Sequence, residues 1–282
     1  MIPELSASKV AGFIGLHKYQ SAHEIAYELL CKDLVGKTRV AELEKAYNLR
    51  PYSKLVNEVL HEFPIMDIVQ SGIKSAQKTA NVQEVLKEVE AQAGLVFDLR
   101  RDTLPPDLKA RLVSEVRGQV AKQRGLNNEE KILDTYETVK EVKVTERNTK
   151  TIKKDIGTFK LVGRCDGYVA SENRIVDSKD RTRVWAEVPL YDEIQLRCYM
   201  NMYNAEESEL IERFPDRTTR HTKYLNNPEK WGAIESEIRR GVDKLNVALH
   251  DEEELKRIVF ANGVQIQSNG SKDSSYNSTR MG

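Results

Sequence analysis

Across 282 residues, 44 Lys and Arg residues are matched by 44 Asp and Glu, so no global basic field announces a nucleic-acid binder. Charged residues make up 31% of the chain and no apolar run is long enough to span a bilayer, so no membrane partner is expected and the protein is expected to act inside a cell. The three scattered cysteines, Cys31, Cys165 and Cys198, suggest no disulfide framework and are too few to ligate an iron–sulfur cluster.

The first part of the chain, to about residue 120, is rich in helical patterns. Ser21-Ala22-His23-Glu24 is a capping-box pattern ahead of the apolar-rich run Ile25 to Leu30. Gly36-Lys37-Thr38 imitates the end of a phosphate-binding loop, but Cys31 stands where the first Gly is required and no convincing strand precedes it, so ATP dependence is not inferred. Leu104-Pro105-Pro106-Asp107 marks a break before another helix. The segment Arg124 to Glu137 predicts a helix whose start is marked by Gly125 and the Asn pair 127–128, with Glu129 in its first turn.

From Val139 to Lys179 the pattern turns to strands. The run Leu161 to Ala170 and the segment Arg174 to Lys179, separated by the turn-prone Ser171-Glu172-Asn173, read as a hairpin. A helix carrying Tyr191, Gln195, Tyr199 and Tyr203 on one face follows. Two further strands are predicted at Glu209 to Phe214 and Thr219 to Leu225, then a helix from Pro228 towards Leu249 and a Ser/Asn/Gly-rich tail over 268–282. The order fits an α/β fold with a mixed central sheet flanked by helices. Its parts are an N-terminal helical region (1–120) packed on the core, a core (121–267) and a flexible tail.

Acid-x-Lys recurs at Asp107, Glu129, Glu141, Asp177 and Glu254, so the tripeptide alone identifies nothing. Asp177-Ser178-Lys179 differs because the β-branched pair Ile175-Val176 precedes it and Asp166 stands in the other arm of the hairpin. Strand side chains repeat every two residues, so Asp177 and Lys179 point the same way. Two carboxylates with a backbone carbonyl, here Asp166, Asp177 and Ser178, suffice for a hard cation such as Mg²⁺, which keeps several waters. Lys179 would then orient a water and stabilise developing negative charge. The hairpin by itself equally fits a surface ion pair. Lys140, Lys143, Arg147, Lys150, Lys153, Lys154 and Lys160 crowd the strands before Asp166, interspersed with Glu141, Glu146 and Asp155. Among them Lys143, Lys150 and Lys153, together with Arg181, are expected to contact phosphates.

Gly125-x-x-x-Glu129, Tyr136-Glu137, Asp166-Gly167, Asp177-Ser178-Lys179 and Gln195-x-x-x-Tyr199-Met200 together resemble the PD-(D/E)XK nuclease superfamily, and in order and spacing the lambda-type exonucleases or YqaJ-like viral recombinases. The resemblance covers about residues 120 to 250. It implies a restriction-endonuclease-like core in which Asp166 and Asp177 bind Mg²⁺ or Mn²⁺, Lys179 is the catalytic lysine, Glu129 is the helix carboxylate near the metals, and Gln195 supports the site. Leu5 to Ala11 followed by Gly15-Leu16-His17-Lys18-Tyr19 is similar to the family's opening Ser-containing helix, which gives Ser8 a 5′-phosphate role, although Ser6 or Ser8 equally suits a helix cap. Asp177 replaces the more usual Glu, and Lys179-Asp180-Arg181 in place of Lys-Cys-Pro resembles the nucleases of large DNA viruses. No counterpart of an upstream phosphate-binding arginine precedes Ser8.

The resemblance further implies a 5′-to-3′ exonuclease that resects double-stranded DNA ends for recombination, repair or viral genome processing. It also implies a DNA-threading homotrimer, a single-strand-annealing partner and, for a viral protein, the cytoplasm or nucleus of a host cell. A structure-selective endonuclease and an inactive DNA-binding relative remain the alternatives.

Overall fold

The computed structural model describes residues 1–62, 65–99, 106–266 and 276–277. In chain order these form β1 (Glu4–Ser6), α1 (Val10–Phe13), α2 (Ala22–Lys32), α3 (Leu34–Ala46), β2 (Leu49–Pro51), α4 (Tyr52–Glu62), α5 (Ile65–Lys78), α6 (Val82–Asp98) and α7 (Pro106–Lys140). There follow β3 (Ile152–Asp155), β4 (Lys160–Gly163), β5 (Gly167–Val169), β6 (Arg174–Asp180), α8 (Leu190–Tyr203), β7 (Glu207–Arg213), β8 (Thr219–Leu225), α9 (Pro228–Ala248), α10 (Glu252–Ala261), β9 (Gly263–Ile266) and β10 (Tyr276–Asn277). The tail expected over 268–282 lies outside the described residues apart from Tyr276 and Asn277. So does the Leu104-Pro105 part of the expected break.

The chain divides into two compact units, one of Met1–Arg39 with Asn128–Ile258, the other of Val40–Asn127 with the residues from Val259 on. In the latter, α4, α5, α6 and the first part of α7 gather around Ile65, Leu86, Phe97, Leu112 and Val116. Leu108, Leu112, Val116 and Val120 recur every four residues, so each turn of α7 delivers one apolar side chain to that core. β2, β9 and β10 form a small antiparallel sheet.

The first unit holds a three-stranded sheet, β1-β4-β3, and a four-stranded mixed sheet, β5-β6-β7-β8, in which only β6 and β7 run parallel. The α/β class and the mixed sheet flanked by helices expected from sequence are present. Alternation assigns the two faces of the four-stranded sheet. Val176 of β6 and Ile211 of β7 pack on Ile132, Leu133 and Tyr136 of α7. Ile175, Asp177 and Lys179 therefore face the other way, and α8 packs against β6 and β7. Buried charges on the α7 face are matched: Arg174 meets Glu207, Glu209 and the Tyr136 hydroxyl, while Asp180 accepts from Arg213 at 3.0 Å and Asn128 at 2.8 Å.

Several boundaries follow the sequence. β8 spans the predicted Thr219–Leu225, and α9 begins at Pro228 with the Asn227 side chain accepting from Lys230 N–H at 3.0 Å. Others do not. The predicted helix start at Gly125 is absent, because α7 runs unbroken from Pro106, and Glu129 sits well inside it rather than in a first turn. An internal glycine costs a helix only about 1 kcal/mol, which the apolar side chains packed before and after it outweigh. The run Leu161 to Ala170 is two strands in different sheets, broken at Arg164-Cys165-Asp166. Ser21 precedes α2 as expected, although its hydroxyl makes no capping bond. Gly36-Lys37-Thr38 lies inside α3 and not in a loop.

Gly167 follows Asp166 and pairs with Val176, and a Cβ built there would overlap Val144 Cγ1. Gly167→Ala is therefore expected to cost about 1–3 kcal/mol, the usual range for overpacking a filled site. Thermal unfolding checks it through a Tm lower by several degrees; an unchanged Tm would show that Val144 yields freely.

Candidate active site

β5 pairs with β6 only as far as Val176, so on that side the backbone of Asp177 to Asp180 has no strand neighbour among the described residues. Asp166, on the segment entering β5, fills the gap: its Oδ2 accepts from Ser178 N–H at 2.7 Å and from Ser178 Oγ at 3.0 Å. A strand residue points its N–H and C=O to the same edge, so the Ser178 carbonyl opens on the side where Asp166 stands. Asp177 is 1% exposed and Lys179 Nζ lies 2.7 Å from its Oδ2. This is no solvated surface pair. The other oxygen, Asp177 Oδ1, is buried without a hydrogen-bond partner.

Glu129 comes from α7 on the opposite face, half-buried, with Asn148 Nδ2 donating to its Oε1. Its charge acts on Asp166, and those of Asp177, Lys179 and Arg164 act on it. Groups from both faces of the sheet thus meet electrostatically at the open edge of β6. From α8, Gln195 Nε2 donates to the Tyr199 hydroxyl at 3.1 Å, and that hydroxyl in turn feels Asp177, Lys179 and Asp166. Gln195 is one contact removed from the carboxylates.

The titration of the cluster reflects crowding of like charge in a poorly solvated place. Burial, then the charge of Asp166, pushes Asp177 up to about 7 against the pull of Lys179. Burial also raises Asp166, against Lys179 and with help from Glu129. Glu129 rises through burial and then Asp177. The Lys179 pKa is raised as well, which for an amine favours the charged form: burial works against the ammonium, but Asp177, Asp166 and Asp192 outweigh it.

This donor set fits a hard divalent cation. An orphaned buried carboxylate oxygen, a neighbouring acid whose pKa is raised chiefly by burial and a backbone carbonyl on the same edge are what such an ion would satisfy. Among the described residues no three His, Cys, Asp or Glu side chains are placed to hold one ion. Glu129 is therefore near the aspartates without closing a three-carboxylate ring with them, and water would complete the coordination, as suits Mg²⁺ better than a structural zinc.

The remaining candidates have contacts of their own. Ser8 is exposed in a 3-10 turn after β1, its hydroxyl 3.0 Å from that of Ser6. Lys153 pairs with Glu4 at 3.0 Å, Lys150 pairs with Glu146 at 2.9 Å, and Lys143 is exposed. Arg181 is held between Asp192 at 2.6 Å and Glu212 at 2.7 Å, both buried acids. That pairing fastens α8 to the end of β6. Sequence reasoning assigned no role to Asp192, Asn148 or Arg164. Asp192 stood in the Tyr191-to-Gln195 stretch beside Lys179, a usable signal; Asn148 reaches Glu129 only through folding of the loop before β3.

No family model and no curated protein matches the chain. Among solved structures it is similar to an alkaline exonuclease (LHK-Exo) from Laribacter hongkongensis, at 18% identity over 58% of this chain and 90% of that one, with a TM-score of 0.40. It is also similar to a phage-related exonuclease from Haemophilus somnus 129PT, at 13% identity over 90% of this chain and 97% of that one, with a TM-score of 0.43.

Proposed function

We propose that the chain is a divalent-metal-dependent DNA nuclease, using Mg²⁺ or Mn²⁺, and specifically a 5′-to-3′ exonuclease acting on double-stranded ends. The observation that carries this reading is the buried Asp177, one oxygen on Lys179 and the other without a partner, beside Asp166 at an open strand edge. The exonuclease assignment rests in addition on the motif order Glu129, Asp166, Asp177-Ser178-Lys179, Gln195, which resembles the lambda-type enzymes.

Asp166, Asp177 and the Ser178 carbonyl would hold the cation, with Glu129 close by. When bound it would polarise a phosphoryl oxygen and lower the pKa of a water. The chain's own residues supply the rest. Lys179 stays protonated, so it serves as a fixed positive charge that orients the nucleophile and offsets charge growing on the phosphoryl oxygens, not as a proton acceptor. Glu129, its pKa raised by burial and then by Asp177 and with Oε1 held by Asn148, would take the proton from attacking water. Gln195 and Tyr199 fix the wall that faces Lys179.

A time course on 5′-phosphorylated linear duplex and covalently closed circles, with Mg²⁺, Mn²⁺ or EDTA, tests the reading. Linear DNA should disappear only with metal, the circle should survive, and Lys179→Ala should slow the reaction on the order of a hundredfold or more, as expected for loss of a preorganised charge. Cutting of the circle would replace the exonuclease with an endonuclease. A Lys179→Ala enzyme as fast as wild type would remove the site.

A further inference from the structure

Close to Lys179 the first unit carries aromatic rings that hydrolysis itself does not use. The chain leaves α1 through Gly15, whose φ of 76° lets Leu16 N–H donate back to the Ala11 carbonyl at 2.8 Å. Three residues on, Tyr19 N–H donates to His17 Nδ1 at 3.1 Å, which fixes that nitrogen as an acceptor and the proton of the neutral ring on Nε2. Burial holds the His17 pKa below its ordinary value, against the charge of Asp192, so the ring is an uncharged π surface at neutral pH.

His17 lies stacked on Tyr191, ring centroids 4.2 Å apart and planes 27° from parallel. Tyr19 stands edge-on to His17 at 6.2 Å. Tyr191 is one helical turn before Gln195 and within the field of Lys179 and Arg181, so the stack borders the reacting groups. It is not core packing, because Tyr19 is 59% exposed and Leu16 beside it 48% exposed. Exposed Lys18, its ammonium 5.7 Å from the Tyr19 ring, adds a cation.

We propose that His17, Tyr19 and Tyr191 form a ledge on which an unpaired base at the end of the substrate strand stacks. The proposal rests on the nuclease reading and adds a contact to the base where hydrolysis itself needs only the phosphate. Every base has a π face, so such a ledge is tolerant of sequence, and Lys18 is placed to meet the adjoining phosphate.

The test is equilibrium binding in EDTA, where nothing is cut, to a fluorescent single-stranded oligonucleotide. It is compared with the same oligonucleotide made abasic at the three terminal nucleotides of both ends. Wild type should bind the base-bearing strand on the order of tenfold more tightly, the size expected for one stacked base. His17→Ala/Tyr19→Ala should lose that preference and, with Mg²⁺, show a raised KM on single-stranded ends with kcat retained. His17→Phe/Tyr19→Phe keeps the rings and should keep the preference. Equal binding of the two strands by wild type, or loss of the preference in the Phe variant, overturns the ledge while metal-dependent cutting leaves the nuclease reading standing. No binding of any DNA overturns both.

Discussion

Asp177→Asn should yield a folded protein that binds DNA and does not cut it. The substitution keeps the shape of a side chain that is 1% exposed and leaves an oxygen for Lys179, so packing at the end of β6 is retained. What disappears is the negative charge that, with Asp166, would hold the cation. The loss should be on the order of a thousandfold in rate, because about 4 kcal/mol of transition-state stabilisation goes with the metal. Binding in EDTA should be equal or tighter, since a carboxylate that repels the phosphate backbone has gone. Single-turnover cutting beside a binding titration reads both quantities, and an Asn variant that cuts at the wild-type rate sinks the assignment.

Cutting by the wild type should fall about tenfold for each pH unit below about 7 and level off above it, since metal binding needs Asp177 ionised. Raising the Mg²⁺ concentration should move this acid limb to lower pH, because the ion competes with the proton for the same oxygens. The stability of the metal-free protein carries the matching sign. The folded pKa of Asp177 lies above its ordinary 3.8, so this group's contribution is fully present below about 4 and is lost as pH rises through about 7. Added Mg²⁺ should therefore raise Tm more at pH 8 than at pH 5. A Mg²⁺ effect on Tm that is the same at both pH values, or an acid limb indifferent to Mg²⁺, would mean that Asp177 is not the group that binds the ion.

What was legible in the sequence was local. Ile175 and Val176 announced a strand, period two put Asp177 and Lys179 on one face, and Pro228 announced α9; each rests on chemistry within a few residues. What was not legible depends on partners far along the chain. Glu4–Ser6 is a strand only because Lys160–Val162 lies beside it. Glu209 and Glu212 are fully buried in β7 because Arg174, Arg181 and Arg220 arrive from other elements to pair with them, and Tyr136 and His221 to hydrogen-bond Glu209. Glu129 was recognised for its charge and misplaced within its helix, since nothing around Gly125 tells how much packing holds α7 straight. The aromatic repeat every four residues in α8 was seen, but His17, which stacks on its first member, lies far earlier in the chain.

The hydrogen bonds from Ser178 to Asp166 have a consequence for solubility and inheritance. An unpaired strand edge is a template on which another chain can add, and proteins commonly blunt such edges with inward-turned charge. Here the blunting charge is Asp166, the carboxylate proposed to hold the cation, occupying the N–H that an intruding strand would need. A lineage that discarded the chemistry by replacing Asp166 with an apolar residue would also uncover a sticky ribbon at the end of β6. Guarding against self-association thus gives selection a reason to keep this acid that is independent of cutting DNA.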